Sequence, residues 1–117
     1  MFPVIIGAVK VGKPVFVAGH SKGGSTGQIF AAMLVKVGVI PEGLWTYGAP
    51  RAGFGGLCAI TCVIPGKRYV FGEDIVSTVP TILPWKHDRI ADRRSTPESG
   101  HIFEDHRMQN YVDWATG

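Results

Sequence analysis

Cysteine is scarce in this chain, with Cys58 and Cys62 alone among 117 residues. Two thiols cannot frame the disulfide scaffold of a small stapled fold. Their spacing would put both on one face of a helix, where a bridge would be strained, and no histidine stands close in sequence to complete a zinc set. Buried free thiols are expected, which suits a reducing compartment, and no metal or other cofactor is implied. Long apolar runs are missing as well: eighteen apolar residues never follow one another, so no transmembrane segment is expected. The apolar start, Met1–Val9, lacks a basic lead-in and carries Pro3. It reads as part of the folded domain rather than an export signal, and a cytoplasmic localisation is expected. Clustered charge is also absent. The net charge is +3 with a pI near 9.1, but apart from short pairs such as Arg93-Arg94 the basic residues are scattered among acids. No basic helix or aromatic-basic interleaving appears, so no nucleic-acid partner is expected.

What the chain has in quantity is turn formers. Gly 16 and Pro 8 in 117 residues argue for short elements joined by tight turns, in one domain spanning 1–117. Pro14–Ala18 is a short β-branched apolar run that fits a buried parallel strand. After the glycine-rich Gly19–Gly24, residues 25–36 form an amphipathic helix, with Ile29, Phe30, Met33, Leu34 and Val37 at helical spacing and Gly38 as its stop. A second strand covers Leu44–Tyr47, a short helix Phe54–Cys62, and a third strand Lys67–Phe71, followed by Gly72-Glu73-Asp74. Pro80, Pro84 and Pro97 make 77–100 largely irregular, with a hairpin expected around 86–93. The last element, 104–114, puts Met108, Tyr111, Val112 and Trp114 near one helical face. Strands alternating with helices imply an α/β fold with a mostly parallel central sheet flanked by helices.

Gly19-His20-Ser21-Lys22-Gly23 has the G-x-S-x-G pattern of a nucleophile elbow. A serine hydroxyl attacks poorly unless a sharp strand-to-helix turn lifts it clear of the backbone and a base meets it. The pattern alone is weak in a glycine-rich chain. Here it follows an apolar strand and opens a helix, whose N-terminus would let the Lys22 backbone N–H stabilise a developing oxyanion. Asp74 follows the third strand, at the carboxyl end where ligand sites of open α/β sheets gather. His106 opens the final helix. The order Ser21, Asp74, His106 is that of α/β-hydrolases.

Four segments then resemble the class 3, or fungal-type, lipase family. Gly19-His-Ser-Lys-Gly-Gly24 is similar to its elbow, and Leu44-Trp-Thr-Tyr-Gly-Ala-Pro-Arg51 to its Thr-Phe-Gly-x-Pro-Arg segment. Tyr69–Val76 with Pro80 resembles the strand and turn that carry the catalytic acid. Asp105-His106 with Tyr111 resembles the terminal element that carries the base. The resemblance implies Ser21 as nucleophile, Asp74 as acid, His106 as base and Lys22 as the backbone oxyanion donor. His20 would be a packing and hydrogen-bonding residue, and the Lys22 side chain would reach towards solvent. His101 is an alternative base, and His87 is read as structural.

Family members carry outer strands, a lid and a second oxyanion donor ahead of the elbow. The resemblance therefore implies a minimal, truncated α/β-hydrolase fold with an open sheet edge, covered by a homodimer or higher homo-oligomer. The second donor would be another N–H or a partner's. The function implied is a serine carboxylic-ester hydrolase, esterase or lipase, acting on small-molecule or lipid esters of short to medium chain. The alternatives are a non-catalytic remnant serving as an interaction module, and a serine peptidase or acyltransferase on the same scaffold.

Overall fold

The computed structural model describes residues 12–72, 74–81, 84–94 and 104–116. Strand β1 (Phe16–His20) leads directly into helix α1 (Lys22–Lys36). Strand β2 (Gly43–Tyr47), helix α2 (Gly55–Thr61) and strand β3 (Gly66–Phe71) follow. A 3₁₀ turn (Ile75–Thr78), strand β4 (Ala91–Arg94), a second 3₁₀ turn (Glu104–His106) and helix α3 (Met108–Thr116) complete the order. The four strands form one parallel sheet in the order β1-β2-β3-β4. This is the α/β fold with a parallel central sheet that the strand-helix alternation implied.

The sheet's two faces are built from different side chains. Because side chains alternate along a strand, Val17 of β1 and Leu44 of β2, paired in register, point the same way. They meet Ala31 and Leu34 of α1 and Ile64 in the aliphatic core. On the opposite face, Tyr47 stacks on Tyr69 with centroids 5.1 Å apart, and Tyr111 and Trp114 of α3 meet these rings edge-on. Those four aromatic residues line a partly open cavity of about 260 Å³.

Helix α1 starts at Lys22 rather than at residue 25, because the chain reverses within the single residue Ser21. Its buried stripe also differs from the expected one. Gly24, Gln28, Ala31, Ala32 and Leu34 are buried, whereas Ile29, Met33 and Val37 are exposed. Three of those five are glycine or alanine, which lets the helix lie close on the sheet. Gln28 is tolerated there because its amide donates to Thr61 Oγ1 at 3.1 Å, and Thr61 in turn donates to Asp88 Oδ2 at 2.8 Å. In α3, Tyr111 is buried and Trp114 half-buried, but Met108 and Val112 are exposed.

Two further expectations are corrected. The hairpin around 86–93 does not form: β4 pairs parallel to β3, Arg68 opposite Ala91 through Phe71 opposite Arg94. Lys86 makes only an isolated antiparallel bridge to Gly53. The intended turn is pinned to α2 instead, since Asp88 accepts from the Thr61 hydroxyl and Arg89 donates to the Thr61 carbonyl at 2.8 Å. Of the two thiols, Cys58 is buried but Cys62 is exposed, because it lies one residue past the end of α2.

Candidate active site

Ser21 is the tightest point of the fold. Its backbone sits at φ 57, ψ −132, a region that L-residues rarely occupy and that costs about 1–3 kcal/mol. The surrounding contacts hold it there: the Ser21 N–H donates to the Tyr47 carbonyl at 3.0 Å, and the Gly24 N–H donates to the Ser21 carbonyl at 2.9 Å. The glycines that permit this turn are Gly19 and Gly24. A Cβ on Gly19 would lie 2.3 Å from the Gly23 carbonyl oxygen, and one on Gly24 would lie 2.6 Å from the Ala49 Cβ. Gly23 meets nothing within 4 Å, so the closing glycine of the G-x-S-x-G pattern is not the one that sterics demand. Lys22 is the first helical residue, and its amide belongs to the first turn, where N–H groups have no partner within the helix. Its side chain is exposed, as expected.

Asp74 enters from the end of β3. It is 1% exposed, and its carboxylate is held from both sides. Oδ1 accepts the Val76 N–H at 3.0 Å, which caps the 3₁₀ turn behind it. Oδ2 accepts from His106 Nδ1 at 2.9 Å and also from the Tyr111 hydroxyl. The turn is anchored by Arg51, whose guanidinium donates to the Thr78 carbonyl and, at 2.7 Å, to that of Pro80.

His106 Nε2 lies 2.8 Å from Ser21 Oγ. A carboxylate can only accept, so the His106 proton sits on Nδ1 and Nε2 is left as the acceptor for the serine hydroxyl. Three residues separated by as many as 85 positions thus form one line: hydroxyl, imidazole, carboxylate. Ser21, Asp74 and His106 are the residues singled out from the sequence, and the fold brings all three together. His101 lies outside the described residues. His87 is elsewhere: its Nε2–H donates to the Ser77 carbonyl at 2.6 Å. Burial pushes its pKa down to about 4, and the nearby positive charges of Arg68 and Arg51 add to the effect.

Tyr111 is the residue whose role the sequence reading missed. Its hydroxyl donates to Asp74 and accepts the Phe71 N–H at 3.1 Å. Burial, and then the bond to Asp74, raise its pKa far above the usual phenol value, so it remains a neutral donor. Its spacing from Trp114 marked it as an apolar face position, and nothing local announces the partner of a buried hydroxyl. Gly48 was missed too. It has φ 60, and a Cβ there would lie 2.3 Å from Asp74 Oδ2 and 2.7 Å from the Tyr111 hydroxyl.

The sequence matches the family model "Lipase (class 3)" over residues 8–83. The chain belongs to the class 3 lipase family. Among characterised relatives, a secreted mono- and diacylglycerol lipase 1 from Fusarium solani is 36% identical over 83 residues. That match covers 67% of this chain and 25% of the relative, so the chain spans about a quarter of the relative's length. The crystal structure of a mono- and diacylglycerol lipase from Aspergillus oryzae superposes with a TM-score of 0.69 at 20% identity, over 90% of this chain and 42% of that one. A lipase from Rhizopus microsporus var. chinensis superposes at 0.54 with 28% identity, over 68% of this chain and 30% of its own. The first likeness, at that identity, shows the fold alone.

Among the described residues no group of three or more His, Cys, Asp or Glu side chains could hold a metal ion. No described helix is long and apolar enough to cross a membrane.

Proposed function

We propose that this chain is a serine carboxylic-ester hydrolase working through Ser21, His106 and Asp74. The observation that carries the proposal is the continuous line from Ser21 Oγ to His106 Nε2 at 2.8 Å and from His106 Nδ1 to Asp74 Oδ2 at 2.9 Å. In the first step Ser21 Oγ bonds to the ester carbonyl carbon, its proton passes to His106 Nε2, and the carbonyl π pair moves onto oxygen. The Lys22 N–H donates to that oxyanion. Asp74 holds the imidazole in the Nδ1–H tautomer and stabilises the imidazolium. Collapse breaks the bond to the leaving alkoxide, which takes the proton from His106 and departs as alcohol. Water, deprotonated by the same histidine, then cleaves the acyl-enzyme to carboxylic acid and free serine.

Esters of short to medium acyl chain are the proposed substrates. The names of the relatives add mono- and diacylglycerols to the compounds worth testing. The same proposal includes a homodimer or higher homo-oligomer covering the β1 edge, where Phe16 is 61% exposed. Sedimentation that shows only monomer at every concentration would remove that part.

Fluorophosphonate labelling followed by peptide mapping tests the central claim. Adduct on Ser21, lost in Ser21→Ala, supports it, and an unreacted Ser21 identifies a non-catalytic module. Hydrolysis of p-nitrophenyl esters from acetate to palmitate tests the chain-length preference. A matched amide cleaved faster than its ester would indicate a peptidase.

A further inference from the structure

His20 ends β1 and immediately precedes the nucleophile. Its Nε2 lies 2.8 Å from the backbone carbonyl oxygen of His106. A carbonyl only accepts, so this nitrogen of His20 carries a proton. The His20 ring also lies against the His106 imidazole, with centroids 4.7 Å apart and planes at 24°, and it meets Tyr111 edge-on at 5.6 Å. One side chain therefore touches both the backbone and the ring of the base.

Resting on the triad reading above, we infer that His20 is a positioning residue that locks His106 to the nucleophile elbow. Its Nε2–H holds the His106 carbonyl while its ring backs the imidazole. His106 stands on a 3₁₀ turn of three residues, Glu104–His106, too short to fix a side chain through its own backbone bonds. Asp74 and Ser21 hold the imidazole at its two nitrogens, which leaves tilt of the ring about the line joining them unrestrained. The face contact with His20 removes the tilt, and the bond to the His106 carbonyl stops the turn from sliding along the sheet end. Because His20 and Ser21 are consecutive, the spacing of base and nucleophile is set on one strand end.

Three variants of the full chain separate the two contacts. His20→Phe keeps a ring but loses the donor, His20→Gln keeps a donor but loses the ring, and His20→Ala loses both. The readouts are p-nitrophenyl butyrate kinetics and the downfield NMR signal of the His106 Nδ1 proton. The expected result is a kcat about tenfold lower in each single-function variant and about 100-fold lower in His20→Ala, the scale of a misplaced reacting group, with KM unchanged. The Nδ1 proton signal should broaden in the same order. Kinetics and signal in all three variants indistinguishable from the wild type would overturn the inference, as would a loss confined to KM. If His20→Ala does not fold, the Phe and Gln variants carry the same test. If the wild type fails to react with a fluorophosphonate, the triad reading falls. The clamp would still be read from whether the His106 signal depends on His20.

Discussion

The two faces of the sheet divide the work of the molecule. Under α1 the side chains are aliphatic or small: Val17, Ala31, Leu34, Leu44 and Ile64 fill space and carry no chemistry. Beneath α3 the side chains are aromatic and polar, and Tyr111 uses its ring for packing and its hydroxyl to hold Asp74. Ser21 stands where the two meet, since its strand belongs to the sheet and its helix covers the aliphatic face. The first face can be exchanged for other apolar residues of like volume at modest cost. On the second, one atom removed from Tyr111 reaches the acid, and a substitution there is felt in turnover before it is felt in stability.

Substitutions test this division. Ser21→Ala removes the meeting point itself: turnover should fall by about six orders of magnitude while the thermal midpoint stays level or rises through relief of backbone strain. A rate near that of the wild type would end the triad reading. Asp74→Asn keeps the shape but disturbs the tautomer of His106, and about a 10⁴-fold loss in kcat is expected from steady-state kinetics. On the other face, Leu34→Ala should cost about 3 kcal/mol in urea unfolding with kcat of the folded fraction unchanged. A kcat that fell with stability would show that the faces are not separable. Tyr111→Phe should lower kcat by about tenfold, because one of the charge-bearing hydrogen bonds to Asp74 disappears, and leave KM alone.

The smallest effect belongs to His87, which supports the turn behind the acid through Ser77. Its folded pKa of about 4 lies below the ordinary value of 6.5. Between those values the unfolded chain binds a proton that the folded chain does not, so stability drains away as pH falls through that window and is complete above it. His87→Gln should flatten the dependence of the unfolding midpoint between pH 6.5 and 4. An unchanged slope would remove His87 from the acid sensitivity of this face.

The sequence made the chemistry more legible than the packing. Ser21 and Asp74 stand just past strand ends and His106 on the 3₁₀ turn ahead of α3 rather than at the helix start, all places where turn residues and motif spacing are informative. The burial pattern of α1 was less legible, because apolar periodicity counted Ile29 and Met33 as core while the inward face is mostly glycine and alanine, with Gln28 and Leu34. The hairpin expected around residues 86–93 failed for a related reason. A distant hydroxyl, that of Thr61, holds Asp88, and no local turn rule includes a partner 27 positions away. Tyr111 and His20 were visible as residues, but their hydrogen bonds exist only once the terminal segment has packed against the sheet.

Gly48 gives the site an unusual point of vulnerability. The residue takes no part in bond making, yet a single methyl at that position would compete with the carboxylate and the phenol for the same space. Efforts to reshape this site therefore have more freedom among exposed neighbours such as Lys22 than at this inner position. There the most conservative replacement in the genetic code would push the acid out of line with the imidazole.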